Sequence, residues 1–388
     1  MKYIFAFCVV LSSIACNSIP GVNSENNQTI GNFEKGKDYT VLKRFRLNDQ
    51  NGFGEPIVAY SLLLPDDWKA EGGISWVAKG LCVNEMVSNR TTAQSPDGSF
   101  KIDFFPVRSW NWYEDQNLKQ YYQGQAYPGN PIKYCDIMPA YNAGEYLQNV
   151  FIQEIGNPQI INIENNTEIA TEMEKKAKET SAAIQAAGVN SVSFRPSAIK
   201  AKLSYPDGSE GIAIVAVNQT VNQMPDYMNG GTSNSYVCQA DQKIVIRFPK
   251  GQYEQAAKLI SVAISSIRIN PVWQSAASQV MQNIARGQQV ENAKQAEIMR
   301  KSREEISAIQ QQTWENRQQS IDRIAEETGR VLRGVEQWSD PTSGEKVDLS
   351  LGYNQAWTKA DGSYILSNNV NFDPNVVLQE DWKKLEKK

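Results

Sequence analysis

The sequence IKAKLSYPDGSEGIAIVAV, residues 199–217, indicates the fold class of this chain. Apolar residues alternate with lysine and serine from Ile199 to Tyr205, which is the period of a half-buried strand. Pro206-Asp207-Gly208 then turns the chain, because proline presets one backbone angle and glycine supplies a positive one. Residues 212–217 are apolar throughout, as a strand covered on both faces would be. The segment therefore predicts a β-hairpin.

Further strand and helix patterns lie on both sides of this hairpin. Short strands are predicted at residues 60–64, 74–77, 100–104, 243–248 and 267–270. Apolar stripes at helical spacing predict helices at residues 140–154, 165–187 and 253–264. Residues 41–273 are therefore expected to form an α+β domain with a mainly antiparallel sheet.

Three motifs in this domain point to a known family. They are LLPDDW at residues 63–68, the strand that follows Asp97-Gly98, and SIRINPVW at residues 266–273. Together they resemble the PsbP-like α/β/α sandwich domains over roughly residues 45–273, and the helix at 165–187 departs from the compact family pattern. Family members are mostly adaptors or assembly factors without a shared catalytic residue. The resemblance thus implies a sandwich fold and a function in binding.

Residues 274–337 change in composition to glutamine, alanine, glutamate, arginine and lysine, without proline. This composition predicts a long helix. Its apolar residues are concentrated near its two ends, around residues 277–284 and 321–335. A helix that is polar over most of its length needs a partner, so a coiled coil with a second copy or another protein is one interpretation. A helical hairpin that packs on its own domain is the alternative.

Residues 338–388 are predicted to form a small β-meander. Strands are expected at residues 346–351, 355–359 and 364–366, after a turn-rich segment at 340–345. The aromatic residues expected to give this tail its own core are Trp338, Tyr353, Trp357, Tyr364, Phe372 and Trp382. The tail is similar to the C-terminal tails of uncharacterised bacterial secreted proteins. Because about fifty residues are marginal for independent folding, we expect it to pack on the helix or on a second chain.

The N-terminal residues indicate export. Lys2 and the apolar run at residues 4–11 lead into small residues before Cys16, as in a signal peptide. This arrangement resembles the lipobox of bacterial lipoproteins, although Ser13 stands where leucine is usual. The resemblance implies removal of residues 1–15, a lipid on Cys16 that binds the membrane, and a polar tether at 16–40. The predicted location is the bacterial cell envelope, periplasmic or surface-exposed. An ordinary signal peptide with a chance cysteine is the alternative.

Composition excludes several classes of function. The 388 residues include no histidine, which excludes Ser-His-Asp and Cys-His catalysis and histidine-ligated zinc. A net charge of −4 without a basic run gives no electrostatic footprint for nucleic acid. No motif for a cofactor or a metal occurs.

Of the cysteines that remain after export, Cys82, Cys135 and Cys238, only one pair can be bridged. The preferred interpretation is three unpaired buried residues.

An aromatic cluster at residues 110–127 is the strongest candidate binding site. Aromatic rings beside amides and carboxylates suit a glycan or peptide platform, because a ring face stacks on apolar parts of a sugar or side chain. The alternative is a loop whose aromatics bury against the sheet. The candidate binding residues are Trp110, Trp112, Tyr113, Tyr121 and Tyr122.

Two pairs of acids are the only candidates for catalysis. Asp66–Asp67 and Glu114–Asp115 are possible general acid and base groups, but adjacent residues of a strand point apart and the first pair lies in a turn. The sequence therefore favours a lipid-anchored envelope protein that acts in binding or assembly without catalysis. The alternatives are a glycan- or peptide-binding protein that uses the 110–127 aromatics, and a carboxylate-based hydrolase.

Overall fold

The computed structural model describes residues 33–50, 56–76, 82–124, 135–186, 191–225, 231–285, 335–341 and 343–388. All of these residues belong to one unit, Phe33–Lys388. The predictions for the signal at 1–15, for Cys16 and for most of the tether lie outside the described residues. Residues 286–334 of the predicted long helix also lie outside them.

The secondary structure alternates long strands with a few helices. The strands are β1 Tyr39–Asp49, β2 Ile57–Pro65, β3 Lys69–Trp76, β4 Val87–Gln94, β5 Lys101–Phe104, β6 Arg108–Tyr113, β7 Asp136–Ile137, β8 Gln159–Asn165, β9 Val192–Ser204, β10 Glu210–Pro225, β11 Thr232–Phe248, β12 Arg268–Ile269, β13 Val335–Ser339, β14 Lys346–Ser350, β15 Gln355–Thr358, β16 Tyr364–Ser367, β17 Lys383–Lys384 and β18 Glu386–Lys387. The helices are α1 Gln116–Gly124, α2 Ala143–Tyr146, α3 Ile152–Glu154, α4 Thr167–Ala186, α5 Tyr253–Ser265, α6 Pro271–Ala285 and α7 Pro374–Val377. A π-helical turn, Leu147–Phe151, joins α2 to α3.

The molecule is a mixed α/β protein with a mostly antiparallel sheet, which confirms this part of the predicted fold class. The main sheet has the strand order β17-β15-β16-β1-β3-β4-β5-β11-β10-β9-β8, with β2, β6, β7 and β12 attached beside it. The predicted hairpin is confirmed as β9 and β10, which pair from Glu210 with Ser204 as far as Asn222 with Val192. Gly208 in its turn has a φ of +83°, which glycine adopts without strain.

Alternate residues of β10 and β11 face two different cores. Ile212 and Ile214 pack in one core, with residues of α5 such as Ile260. Ala213 and Val215 pack in the other, with buried residues of α2 and the π-helical turn. Since successive side chains of a strand point to opposite faces, helices cover both faces of the sheet at these strands.

Two of the motifs that carry the family resemblance contact each other. The Ser266 hydroxyl accepts a hydrogen bond from the backbone N–H of Leu63 at 2.8 Å. The Asn270 side chain donates to the carbonyl of Val58 at 2.8 Å and caps the start of α6 by accepting from the N–H of Val272. The Trp273 indole donates to the buried carboxylate of Asp49 at 2.9 Å. Residues 266–273 thus connect the end of α5 and the start of α6 to β1 and β2 through hydrogen bonds.

The expected core of the C-terminal tail is shared with the rest of the protein. Strand β16 pairs antiparallel with β1, from Tyr39 with Ser367 to Leu42 with Tyr364, so β15, β16 and β17 extend the main sheet. Trp338 packs with Val262 of α5 in a core shared by both segments. Strands β14, β13 and β18 form a separate sheet. The prediction of an independent core is therefore corrected: the tail completes the core that β1, β2 and α5 begin.

Two predicted boundaries also differ from the structure. The predicted long helix ends at residue 337, but Val335–Ser339 is a strand, because its backbone pairs with β14 and Val335 and Trp338 are buried. The domain includes residues before the predicted boundary at residue 41, since the ring of Phe33 lies edge-on to Phe372 at 5.2 Å. Among the helices of the described ranges, none has the length and apolar character needed to cross a membrane.

Candidate binding surface

Trp110, the first residue of the predicted aromatic platform, lies in the core. Its side chain is 0% exposed, and its ring stacks on Tyr146 with the centroids 5.0 Å apart. The indole N–H donates to the carbonyl of Pro139 at 2.8 Å. The ring is therefore not available to a ligand from solvent.

The other predicted aromatics divide between the two faces of β6. Trp112 is half-buried on the same side as Trp110, with the ammonium of Lys119 4.2 Å from its ring centroid. Tyr113 stacks on Tyr122 at 4.9 Å. Tyr121 is 61% exposed and lies edge-on to Tyr122 at 5.3 Å. Tyr113 of β6 and Tyr121 and Tyr122 of α1 thus form one group of rings, which we call the aromatic edge. It is separate from the two tryptophans.

Both pairs of acids have structural partners. One carboxylate oxygen of Glu114 accepts from the Tyr236 hydroxyl at 2.7 Å, and the other accepts from the N–H of Asn234 at 3.0 Å. The hydrogen bond from the Tyr236 hydroxyl, and to a smaller extent those from Asn234, hold the pKa of Glu114 below its usual value. Asp115 accepts from the first N–H groups of α1. The carboxylates of Glu114 and Asp115 therefore both stabilise local structure.

Asp66 and Asp67 pair with a basic residue near the start of the described chain. The ammonium of Lys35 lies 2.5 Å from a carboxylate oxygen of Asp66 and 3.7 Å from one of Asp67. Within the described ranges, no cluster of three or more histidine, cysteine, aspartate and glutamate side chains could hold a metal ion.

Cys82 and Cys135 form a disulfide, which corrects the interpretation of three unpaired cysteines. The bridge connects segments that the sequence separates by 53 residues. Glu85 and Asp136, which follow the two cysteines, both contact the guanidinium of Arg108 on β6. Cys238 is unpaired and buried, and burial raises the pKa of its thiol to about 12. The disulfide and the Arg108 ion pairs thus hold the same two segments against β6.

A buried lysine lies near this cluster. The ammonium of Lys243 contacts a carboxylate oxygen of Glu154 at 3.2 Å and the hydroxyl of Tyr146 at 3.5 Å. Burial lowers the pKa of Lys243, and the carboxylate of Glu154 opposes that change. The pair links α3 to β11 beneath the helical layer, where it has a structural role.

The face of β6, β11, β10 and β9 opposite Trp110 carries side chains without formal charge. The register aligns three residues from each of these four strands. The twelve residues, which we call the uncharged face, are Ser109, Gln239, Asn218 and Pro196 in one row, Asn111, Val237, Thr220 and Phe194 in the next, and Tyr113, Ser235, Asn222 and Val192 in the third. Val237 in its middle is 37% exposed.

The sequence contains a signal for this face that the prediction of strands alone did not use. On β10 the polar residues Asn218, Thr220 and Asn222 alternate with Val217, Gln219 and Val221. The two valines pack in the core with Trp110, and Gln219 on the same face donates a hydrogen bond to the carbonyl of Ala140. Alternation with period two marks one face of a strand. The pairing register, however, is needed to place four such strands side by side.

Two polar atoms in one row of the uncharged face lack a hydrogen-bond partner among the described residues. They are the hydroxyl oxygen of Ser109, a residue that is 0% exposed, and the amide oxygen of Asn218. A buried polar atom without a partner costs about 1–3 kcal/mol. Because protein covers both atoms, as it covers Trp110, they are not available to a ligand from solvent.

A groove borders the uncharged face on the side of β9. It has a volume of about 500 Å³ and lies between α4 and the Phe194–Pro196 segment of β9. Its lining residues are Glu174, Ala177, Lys178, Ser181, Ala182 and Gln185 from α4, with Phe194, Arg195 and Pro196 from β9. The uncharged face thus lies between this α4–β9 groove and the aromatic edge at Tyr113.

No protein-family model matches the chain, and the comparison with curated proteins found no match.

Proposed function

We propose that this chain is an exported, lipid-anchored protein of the bacterial cell envelope that binds a protein partner in assembly and has no catalytic activity. The uncharged face is the observation that carries the proposal. It presents amides, hydroxyls, two aromatic rings and an exposed valine across four paired strands. Such a mixture without formal charge is suited to contact another protein surface, because no ion has to be desolvated when the partner binds.

The positions of the acids support binding over catalysis. A general acid at neutral pH needs a carboxyl group with a raised pKa, whereas the pKa of Glu114 is lowered. Both oxygens of Glu114 accept hydrogen bonds, and Asp115 caps α1. The alternative of a carboxylate-based hydrolase therefore finds no support at Glu114–Asp115.

The disulfide supports export. Bridges such as Cys82–Cys135 persist mainly in oxidising compartments outside the cytosol. Lipidation of Cys16 would place the folded part at a membrane, and the polar residues that follow would act as the tether. The two helical layers on opposite faces of β10 and β11 are in keeping with a PsbP-like α/β/α sandwich. We include that fold in the proposal, together with self-association through the predicted helix that begins at residue 274 and precedes β13.

An aspartate in the centre of the uncharged face tests the proposed function. We expect Val237→Asp to remove envelope proteins that co-purify with the native protein from membranes, because binding would then bury an unpaired carboxylate. The melting temperature should stay unchanged, since Val237 is already 37% exposed. Quantitative mass spectrometry of the purified material measures the loss.

The matched control is Val370→Asp, the same substitution at a side chain that is 76% exposed in the tail. It should keep the full set of co-purifying proteins. If both variants retain the same proteins as the native chain, the uncharged face is not the partner surface and the proposed function has to be abandoned.

A glycan-binding protein is the second candidate function, and the aromatic edge favours it. Tyr121 is 61% exposed beside the stacked pair of Tyr113 and Tyr122. If this edge stacks on a sugar ring, Tyr121→Ala should weaken binding to isolated envelope polysaccharide about tenfold, whereas Tyr121→Phe should keep it. A sedimentation assay with the polysaccharide distinguishes the two variants. Equal binding by both would count against the glycan function.

A further inference from the structure

Strand β9 continues past the end of its outer neighbour. Strand β8 pairs with β9 from Asn165 with Ile199 to Gln159 with Ser204. On the other side, β10 pairs with β9 as far as Val192. No described strand pairs with the outer edge of β9 between Val192 and Ala198. Among the described strands, this part of β9 therefore has a neighbour on one side only, β10.

The direction of the backbone groups on this edge follows from two observations. The carbonyl of Ala198 points away from β10, because it accepts from the N–H of Asn166 at 2.9 Å. Backbone groups of alternate residues point the same way, so Pro196, Phe194 and Val192 also direct theirs outward. Proline lacks an N–H and is tolerated in a strand where that group would not face a neighbouring strand, which agrees with this assignment at Pro196.

Helix α4 packs along β9 and leaves a groove beside this edge. Its residues that line the α4–β9 groove include Ala177, Ser181 and Ala182, which have short side chains. A helix with large apolar residues at these positions would pack directly on β9. The short side chains instead leave the volume of about 500 Å³ beside the outer edge and the ring of Phe194.

From this geometry we propose that the α4–β9 groove binds an extended peptide segment of the protein partner, which adds as a strand to the outer edge of β9 along Val192–Pro196. The proposal rests on the proposed function and names how the partner is recognised. The segment pairs with the outward N–H and C=O groups of Val192 and Phe194 and places an apolar side chain against Phe194. Main-chain groups that point outward beside a groove are matched by another extended main chain.

The charges around the groove agree with a peptide as the occupant. Glu174 and Lys178 of α4 have opposite signs, whereas the guanidinium of Arg195 lies on the other face of β9, 5.9 Å from the centroid of the Tyr236 ring. The two charges from α4 cancel at the rim, so a strongly charged polymer is not favoured. Main-chain hydrogen bonds would then supply affinity, and the space at Phe194 would supply preference for one side chain.

Synthetic peptides test strand addition with the full chain. The probes are fluorescein-labelled heptapeptides in which threonine alternates with valine, leucine or phenylalanine. Each has a matched control in which alternate residues are N-methylated, so that one edge loses its N–H donors while the side chains stay the same. We expect at least one unmodified probe to bind, and its N-methylated form to bind about tenfold more weakly or not at all in fluorescence anisotropy.

Two variants of α4 locate the binding site. Ala182→Trp fills the α4–β9 groove with a large ring and should abolish binding of the probe. Thr180→Trp places the same ring at an exposed position of α4 that does not line the groove, and should bind as the native chain does. Circular dichroism should show unchanged helix content in both variants.

Three outcomes overturn the inference. They are equal binding of the unmodified and N-methylated probes, undiminished binding by Ala182→Trp, and no binding of any probe by the native chain. If one of these occurs while Val237→Asp still removes the co-purified envelope proteins, the proposed function stands and only strand addition fails. If Val237→Asp also has no effect, the proposed function fails as well.

Discussion

Replacing Trp110 with alanine is expected to lower the free energy of unfolding by about 3–5 kcal/mol, the range observed when a buried tryptophan is truncated. The ring is 0% exposed, stacks on Tyr146 and donates a hydrogen bond to Pro139. The substitution therefore leaves a cavity and an unpaired carbonyl at once. Urea denaturation followed by fluorescence of the remaining tryptophans measures the change.

Tyr121→Ala is the control for this prediction, because it removes an aromatic ring from the same segment at a side chain that is 61% exposed. We expect its free energy of unfolding to stay within about 0.5 kcal/mol of the native value. Equal stability of Trp110→Ala and Tyr121→Ala would show that β6 does not bury Trp110 in the core.

The second large effect is expected on removal of the disulfide. For a loop closed across 53 residues, the chain-entropy estimate gives a loss of about 4 kcal/mol in the Cys82→Ser/Cys135→Ser variant. The loss arises because the unfolded chain gains freedom when the bridge is absent. In the folded state, Glu85 and Asp136 still contact Arg108, so the fold itself should persist. Thermal unfolding in the presence and absence of a reducing agent measures the effect.

The double serine variant is also the control, since a reducing agent should lower the melting temperature of the native chain and leave that of the variant unchanged. Cys238 should not react with a thiol reagent near neutral pH in the folded protein, because its thiol is buried and its pKa is raised to about 12. A melting temperature of the native chain that does not respond to reduction would contradict the Cys82–Cys135 bridge.

Local patterns in the sequence were sufficient to predict several strands and helices, but not β1, β4, β6 or β8. The hairpin at residues 199–217 was recognisable because its alternation, its turn residues and its apolar second strand all favoured the same structure. The helix of α5 was predictable for a similar reason, since its apolar stripe is uninterrupted. Where one periodicity dominates a segment, the sequence alone determines the type of element.

Long-range pairing could not be predicted in the same way. The aromatic residues of the tail indicated a core, but nothing in residues 338–388 specified that Tyr364 would pair with Leu42. The cysteines likewise gave no sign of their pairing, because Cys82 and Cys135 approach each other only when β6 and β7 are in place. Both features depend on contacts between residues that are distant in the chain.

The candidate binding surface was predictable only in part. The aromatic cluster at 110–127 covers most of β6 and all of α1, and Tyr113, Tyr121 and Tyr122 form an aromatic edge there. The larger uncharged face lies on the hairpin strands and on β6 and β11 beside them. Its lack of charged side chains becomes visible only when the pairing aligns residues such as Asn111, Val237 and Thr220 across strands. Strand register, which short motifs do not specify, thus determines the site.

The pairing of β1 with β16 has a consequence for biosynthesis. During translation, β1 is made before its neighbour at Tyr364–Ser367, which follows only after β2 to β15. Until then, Leu42 and Leu63 have no cover from Trp338 and Leu366. Contacts of such high contact order form slowly, and this core cannot be completed before β16 is made. We therefore expect the newly made chain to depend on a holdase chaperone until β16 is available to pair with β1.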